Sequence, residues 1–194
     1  MIDIREKLSN YTVGVAGLGG LGSNAAALLA RSNIGHLIIA DFDKVEKCNL
    51  NRQNYFKDQV GMLKTEASAE ILSRINADVR ITKVAEKLDQ LNIPAVFAEC
   101  DIIMECLDNA DQKQIFTETV LTEMANIPVV CVSGIAGYGR SNSIQTRRIS
   151  DRFILVGDTQ TGIETEPLLT GPRVAIAACH QSNAVIEMII EDRV

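Results

Sequence analysis

Two short stretches hold the residues best suited to chemistry. "GLGGLGS" brings Gly17, Gly19, Gly20 and Gly22 together, and "DFDKVEKCNLNRQ" follows with Asp41, Asp43, Asn49, Asn51, Arg52 and Gln53. The first stretch satisfies GxGxxG. Glycines at this spacing let a tight turn form and let backbone N–H groups approach phosphate oxygens closely. The N-terminus of the following helix adds partial positive charge. The glycines alone do not distinguish NAD, FAD and ATP. The competing reading is a tight strand-to-helix turn without ligand; the strand before it, the helix after it and the acid further on together favour a nucleotide.

Asp41 ends "HLIIAD", at the distance expected of an acid that accepts hydrogen bonds from ribose hydroxyls. A plain dehydrogenase needs no more than that acid. It leaves Asp43, Asn49, Arg52 and Gln53 unexplained. A planar guanidinium such as that of Arg52 suits a polyphosphate, which it grips through paired N–H bonds. Lys64 opens a helix after "VGML", where the helix dipole disfavours a cation unless something negative lies near; a triphosphate would supply that charge. Arg52 and Lys64 could instead be solvated surface cations, but their position beside the cradle favours the phosphate reading. Asp108, in "MECLDNADQ", stands where a strand stops. The carboxyl ends of strands form the ligand crevice of an open α/β sheet. A carboxylate there, near a triphosphate, reads as a Mg²⁺ ligand. Asp108 could cap the next helix, yet Asn109 or Asp111 can do so equally well.

The elements that must position these residues follow from hydrophobic patterning. "TVGVAG" and "HLIIADFD" are buried strands flanking "GSNAAALLARSN", an Ala/Leu-rich helix with Gly35 in the position expected after its C-terminus. Residues 1–9 are a short charged helix, with Ile2, Ile4 and Leu8 able to face inward. "KTEASAEILSRIN" carries Ala67, Ile71, Leu72 and Ile75 at helical spacing. "VRITKVAEK", "DIIMECLDN" and "IPVVCVSGIAGYGR" read as the third, fourth and fifth strands. "NIPAVFAEC" and "DQKQIFTETVLTEMAN" are the helices between them. This alternation predicts an α/β, Rossmann-like, mostly parallel sheet with helices on both faces. "SIQTRRIS" and "RFILVGD" then form an antiparallel C-terminal extension, and "PRVAIAACHQSNAVIEMIIEDR" a closing helix. No repeat or linker interrupts residues 1–194, which read as a single nucleotide-binding domain.

Composition agrees. Of 194 residues 46% are apolar, enough for a substantial core, and Trp is absent, so the interior is mostly Ile, Leu, Val and Ala. A formal charge of -6 with no basic stripe argues against nucleic acid as partner. The five cysteines form no CxxC pair; they read as reduced and mostly buried thiols. There is no basic N-terminal region leading into an apolar run, and no apolar stretch long enough for a bilayer, so the expected location is the cytoplasm, away from membranes.

The ordered set "GLGGLGS" (17–23), "DFDKVEKCNLNRQ" (41–53), "VGMLKTE" (60–66), "CLDNADQK" (106–113) and "VSGIAGYG" (132–139), with the closing helix, resembles the ThiF/MoeB family. These are adenylating enzymes of sulfur-carrier proteins, related to ubiquitin-activating enzymes. The resemblance covers nearly the whole chain and implies an adenylation domain. Gly17, Gly19, Gly20 and Gly22 would hold ATP and Asp41 its ribose. Arg52 and Lys64 would contact phosphates, Asp43, Asn49 and Gln53 would shape that corner, and Asp108 would hold Mg²⁺. The implied partner is a small ubiquitin-like sulfur-carrier protein, ThiS-like and belonging to thiamine biosynthesis. Its C-terminal glycine carboxylate would attack the α-phosphate of ATP, giving an acyl-adenylate and pyrophosphate. A homodimer is also implied. A carboxylate nucleophile needs no general base, so His36 and His180 are read as structural.

The match departs from the family pattern in two ways. The two CxxC pairs that bind zinc in many relatives have no counterpart, so no zinc is expected. Residues 140–172 hold no cysteine for a covalent carrier link, and Cys179 is read as core. Arg140, Arg147 and Arg148 are read as a solvated edge, and the "AGYGR" turn as approaching the nucleotide or the carrier tail. Two rival readings stand beside this one. One is a NAD(P)-binding Rossmann oxidoreductase, which needs a hydride-transfer site the chain does not offer. The other is a non-catalytic relative that binds a nucleotide or a ubiquitin-like protein.

Overall fold

The computed structural model describes residues 4–194. In chain order it runs α1 (Ile4–Leu8), β1 (Thr12–Ala16), α2 (Gly20–Arg31), β2 (His36–Ala40), α3 (Lys64–Ile75), β3 (Arg80–Val84), α4 (Ile93–Val96), β4 (Ile102–Glu105), α5 (Ala110–Glu123), β5 (Val129–Val132), β6 (Gln145–Ser150), β7 (Phe153–Gly157) and α6 (Gly171–Ile190). The strands form one sheet in the order β3-β2-β1-β4-β5-β7-β6. The chain reverses its direction of travel across the sheet between β1 and β4, which pair in parallel. In open α/β sheets that switch point is where the crevice for a ligand opens.

The alternation of side chains along each strand builds two cores. On one face Val13, Val15, Ile102 and Met104 meet Leu29, Ala178 and Val185 of α2 and α6. On the other, Ile38, Ile103 and Val129 meet Phe97 and Phe116. These two rings stand edge to face with centroids 5.7 Å apart. Both faces are covered, so the central strands β1, β2, β4 and β5 are almost uninterrupted apolar runs, as parallel strands require.

The expected architecture is present, with three local differences. β6 is antiparallel to β7, but β7 itself pairs in parallel with β5, so only the edge strand is reversed. Helix α2 does not end on Gly35. Ser32 caps it and Asn33 takes the left-handed conformation at φ 68°, a role Asn fills when its short side chain bonds locally. Gly35 serves packing instead: a Cβ there would lie 1.8 Å from the Ser9 carbonyl oxygen. In α1 Leu8 is buried, whereas Ile4 is exposed; Ile2 lies outside the described residues. No described helix is long and apolar enough to cross a membrane.

Candidate functional site

A cavity of about 1040 Å³ opens at the carboxyl ends of β1, β2, β4 and β5. Gly17, Gly19 and Gly20 form one wall, Asp41, Asp43 and Lys64 a second, and Cys106, Leu107 and Asp108 a third.

The glycine wall is shaped by close approach. Gly17 has φ 90°, and its amide bonds the Ala40 carbonyl at 2.8 Å, tying the turn to β2. Gly22 does not border the cavity. A Cβ on it would sit 1.8 Å from the Gly17 carbonyl oxygen and 3.2 Å from Cys106 Cβ. Its task is to let α2 press against the turn, and only hydrogen fits there.

Asp41 is buried at the exit of β2. Its Oδ2 accepts from the Leu18 amide at 2.7 Å and its Oδ1 from the Asp43 amide at 2.8 Å. Each oxygen keeps a second lone pair for a ligand. Burial pushes this carboxyl above the usual aspartate value; the nearby Lys64 ammonium and the two amides only partly offset it. Lys64 begins α3 almost fully buried, with its Nζ 2.8 Å from Asp43 Oδ2 and 3.6 Å from Asp41 Oδ2. The negative charge that a lysine at a helix N-terminus needs is therefore already supplied by two acids of this chain, before any triphosphate binds.

Residues 42–63 fold over α3 because Val45 and Tyr55 bury against Ala67 and Ile71. Amide–carbonyl bonds from Val45 to Met62 and from Gly61 to Val45 pin the ends of this excursion together. Tyr55 donates its hydroxyl to the Leu18 carbonyl at 2.8 Å, next to the glycine turn. Asn24 holds the Arg52 carbonyl at 3.0 Å, and Ser23 Oγ accepts from the Asn54 amide at 3.0 Å. These bonds deliver Arg52 and Gln53 to the cavity, although they lie more than thirty residues beyond the cradle in sequence. Among the described residues the partly exposed Arg52 guanidinium bonds only Asn51 Oδ1 at 2.8 Å and the Cys48 carbonyl at 3.4 Å. Gln53 Oε1 is buried with no hydrogen-bond partner among the described residues, a costly state that a donor on a ligand would relieve.

Asn49 does not reach this corner. Its side chain accepts from the Glu46 amide at 3.3 Å and closes a single helical turn, away from the cavity wall. Asp108 is exposed at the cavity mouth, and its carboxylate makes no hydrogen bond or ion pair among the described residues. Asn109 caps α5 by accepting from the Gln112 amide at 3.0 Å, so the cap and the free acid are separate residues.

Residues that motif reading passed over complete the walls. Lys113 Nζ lies 2.8 Å from both oxygens of Glu105 and 2.9 Å from the Leu107 carbonyl. Glu105, with its side chain 1% exposed, also accepts from the Leu107 amide at 2.7 Å. This pair holds the turn that carries Asp108. Its one sequence signal is a glutamate ending an otherwise apolar strand with a lysine eight residues on. The cavity is also lined by Ile135 and Ala136, where the "AGYGR" turn begins, and by the segment Thr159–Thr165. Arg147 is partly buried and bonds the Gly157 carbonyl at 2.8 Å, and Arg140 pairs with Glu166, so these two are not a free solvated edge. His36 is enclosed by Thr12, Arg80 and Thr82, and His180 meets Thr146.

Cys106 borders the cavity, but burial, with Glu105 beside it, pushes its thiol far above the ordinary value, so it is no nucleophile. Cys179 is exposed on α6, not in the core, and lies away from the cavity: the face of α6 that packs on α2 is set by Ala178 and Val185, and position 179 turns outward.

The ThiF family matches residues 2–193 of this chain. The chain belongs to the ThiF family. Among curated relatives, the molybdopterin-synthase adenylyltransferase of Escherichia coli (strain K12) is 41% identical over 108 residues, covering 55% of this chain and 43% of that protein. The sulfur carrier protein ThiS adenylyltransferase of the same strain is 31% identical over 139 residues, covering 71% and 54%. Ubiquitin-like modifier-activating enzyme 5 of Drosophila willistoni is 31% identical over 186 residues, covering 87% and 42%. This ThiF-family chain thus spans roughly half or less of the length of these relatives. Of solved structures, the E. coli tRNA N6-threonylcarbamoyladenosine dehydratase TcdA in complex with AMP superposes with a TM-score of 0.86 at 21% identity, covering 97% of this chain and 90% of that one. E. coli MccB with ATP superposes at 0.77 and 25%, covering 97% and 58%. The ThiF-family fold is thus shared with proteins of several named activities.

Proposed function

We propose that this chain is an ATP-dependent adenylyltransferase that activates the C-terminal glycine carboxylate of a small ubiquitin-like sulfur-carrier protein. The observation that carries the reading is that Arg52, Lys64 and Asp108, whose carboxylate has no partner among the described residues, line one glycine-walled cavity. Two cations and a free carboxylate fit a magnesium-bound triphosphate better than a hydride carrier, which needs neither. Membership of the ThiF family and the relatives named adenylyltransferases support it.

In this reading Gly17, Gly19 and Gly20 cradle the phosphates with backbone amides, and Gly22 keeps α2 close enough for its N-terminus to face them. Asp41 accepts from ribose hydroxyls through its remaining lone pairs. Gln53 Oε1 takes a donor that the folded chain does not supply. Arg52 gives up its bond to Asn51, and Lys64 its half-exposed partner Asp43, to hold phosphate oxygens. No group of three or more metal-binding side chains exists among the described residues. Asp108 would hold Mg²⁺, since magnesium accepts a single protein carboxylate alongside phosphate oxygens and water. Once bound, the metal neutralises phosphate charge. The carrier's carboxylate oxygen bonds to the α-phosphorus as the bond to the bridging oxygen of pyrophosphate breaks. No histidine borders the cavity among the described residues, and none is needed, because the nucleophile is already ionised. Alignment and charge neutralisation do the work.

The finer assignment is a ThiS-like carrier of thiamine biosynthesis, supported by the relative that adenylates ThiS. We expect a cytoplasmic homodimer, and light scattering showing monomer alone would remove the dimer. The decisive assay is carrier-dependent ATP–pyrophosphate exchange. Arg52→Ala and Asp108→Ala are each expected to abolish most exchange while circular dichroism stays that of the wild type. Unchanged exchange in either variant would strip that residue of its role. Tight NAD binding with no calorimetric response to MgATP would overturn the whole reading.

A further inference from the structure

Among the described residues Arg173 is the largest fully buried side chain, 1% exposed at the start of α6. All five of its N–H donors are used. Nε donates to the Ala136 carbonyl at 2.9 Å; Nη1 donates to the carbonyls of Gly139 at 3.0 Å and Arg140 at 3.1 Å. Nη2 donates to Ser143 Oγ at 3.3 Å and to Asp158 Oδ2 at 2.7 Å. Asp158 spends its other oxygen on the next loop: Oδ1 accepts from the amides of Gln160 at 2.9 Å and Thr161 at 2.8 Å. The Thr161 hydroxyl lies within 3.0 Å of both carboxylate oxygens. Partial burial acts to raise the Asp158 carboxyl, but the Thr161 and Gln160 bonds and the Arg173 guanidinium outweigh it and hold the carboxyl below its usual value.

A buried ion pair of this kind is a poor source of stability, because desolvating two charges offsets most of their attraction. Its effect is geometric. Left-handed Gly134, at φ 80°, leaves room for the carboxylate: a Cβ there would fall 2.2 Å from Asp158 Oδ1. One guanidinium therefore fixes two separate segments, 136–143 and 158–161, to α6. Both contribute to the cavity lining, one through Ala136 and the other through Thr159–Thr165. Neither segment has a regular secondary-structure ladder of its own over these residues beyond one short turn at Ser141–Ser143 and a single bridge from Gly137 to Leu169.

We infer that Arg173 and Asp158 are positioning residues: together they clamp the cavity wall built from Ala136 and Thr159–Thr165 so that it is preformed for the nucleotide. The clamp is read without any ligand; only its consequence for ATP rests on the function proposed above.

The first measurement is hydrogen exchange of the full chain without nucleotide. Amides of 159–165 should exchange about tenfold faster or more in Asp158→Ala and Arg173→Met, and those of 136–143 also in Arg173→Met, while β1, β2 and β4 keep wild-type protection. Arg173→Lys keeps a single charge near Asp158 but cannot reproduce the planar fork. It should restore protection at 159–165 and leave 136–143 fast, a split that simple destabilisation would not produce. Should the first two variants fail to fold, Thr161→Val removes one hydroxyl from Asp158 and should speed exchange in 159–165 alone. The second measurement is ATP binding by calorimetry, expected to weaken about tenfold in the variants with loosened walls. Acceleration spread evenly over all strands, or none in either segment, overturns the clamp. Loosened segments with wild-type ATP affinity overturn the positioning role. If wild-type protein binds no ATP, the proposed function falls while the exchange result still decides the clamp.

Discussion

Replacing Lys64 with Met tests the electrostatics of the cavity directly. The substitution keeps the aliphatic stem and removes the ammonium that lies 2.8 Å from Asp43 and 3.6 Å from Asp41. Unit charges about 4 Å apart attract by about 4 kcal/mol at an effective dielectric near 20, but most of that is cancelled by the cost of burying the charges. What matters is who is stranded. The Asp43 side chain is 49% exposed and regains water; that of Asp41 is 8% exposed and does not. Removing one partner of a fully buried pair costs about 3–5 kcal/mol. Asp41 keeps two amide bonds and can escape by taking up a proton, so we expect a loss of about 2–3 kcal/mol at neutral pH.

The sign of the pH dependence is fixed by the direction of the Asp41 shift. Its folded value is already raised by burial, against which Lys64 acts, and loss of the lysine raises it further. Between the unfolded and folded values the native state binds more protons, so stability falls as pH rises through that window. The Lys64→Met deficit should therefore be largest near neutrality and shrink as the solution is acidified toward the carboxylate range. Urea unfolding of both proteins at about pH 7 and about pH 5 measures this, with a midpoint shift of about 1 M expected at the higher pH. Equal midpoints at neutral pH, or a deficit that widens on acidification, would refute the reasoning.

Gly22→Ala should destabilise the protein by about 1–3 kcal/mol or more, because the new Cβ must open the 1.8 Å approach to the Gly17 carbonyl. The direction is diagnostic in a thermal melt, since alanine normally favours a helix interior over glycine by about 1 kcal/mol. Native thiol titration should label Cys48 and Cys179, which are exposed, and leave Cys100, Cys106 and Cys131 unreactive until the chain unfolds. Burial holds the thiols of Cys100 and Cys131 up at about 12; rapid native reaction of either would contradict the packing of β4 and β5.

The cradle, the acid after β2, the polar excursion and the acid after β4 were legible in the sequence because each depends on local chemistry. Glycines at a strand-to-helix turn and polar residues at the exit of an apolar run keep their meaning wherever the strand lies. The alternation of buried strands and amphipathic helices likewise revealed a parallel sheet before any coordinate. What remained hidden depended on partners distant along the chain. The sequence showed Lys64 at a helix start but not that Asp41 and Asp43 would already neutralise it. It placed Asn49 beside Arg52 and Gln53, yet the Asn49 side chain turns back to the Glu46 amide to close its one-turn helix and does not border the cavity. Cys179 sat in an apolar helix, and only the packing of α6 on α2 decided which side faces solvent. Arg173 lay in what read as a helix start; its partners Ala136 and Asp158 come from two other loops. Local periodicity is written into residue order, whereas charge neutralisation and burial are properties of neighbours in space, and the folded sheet alone chooses those.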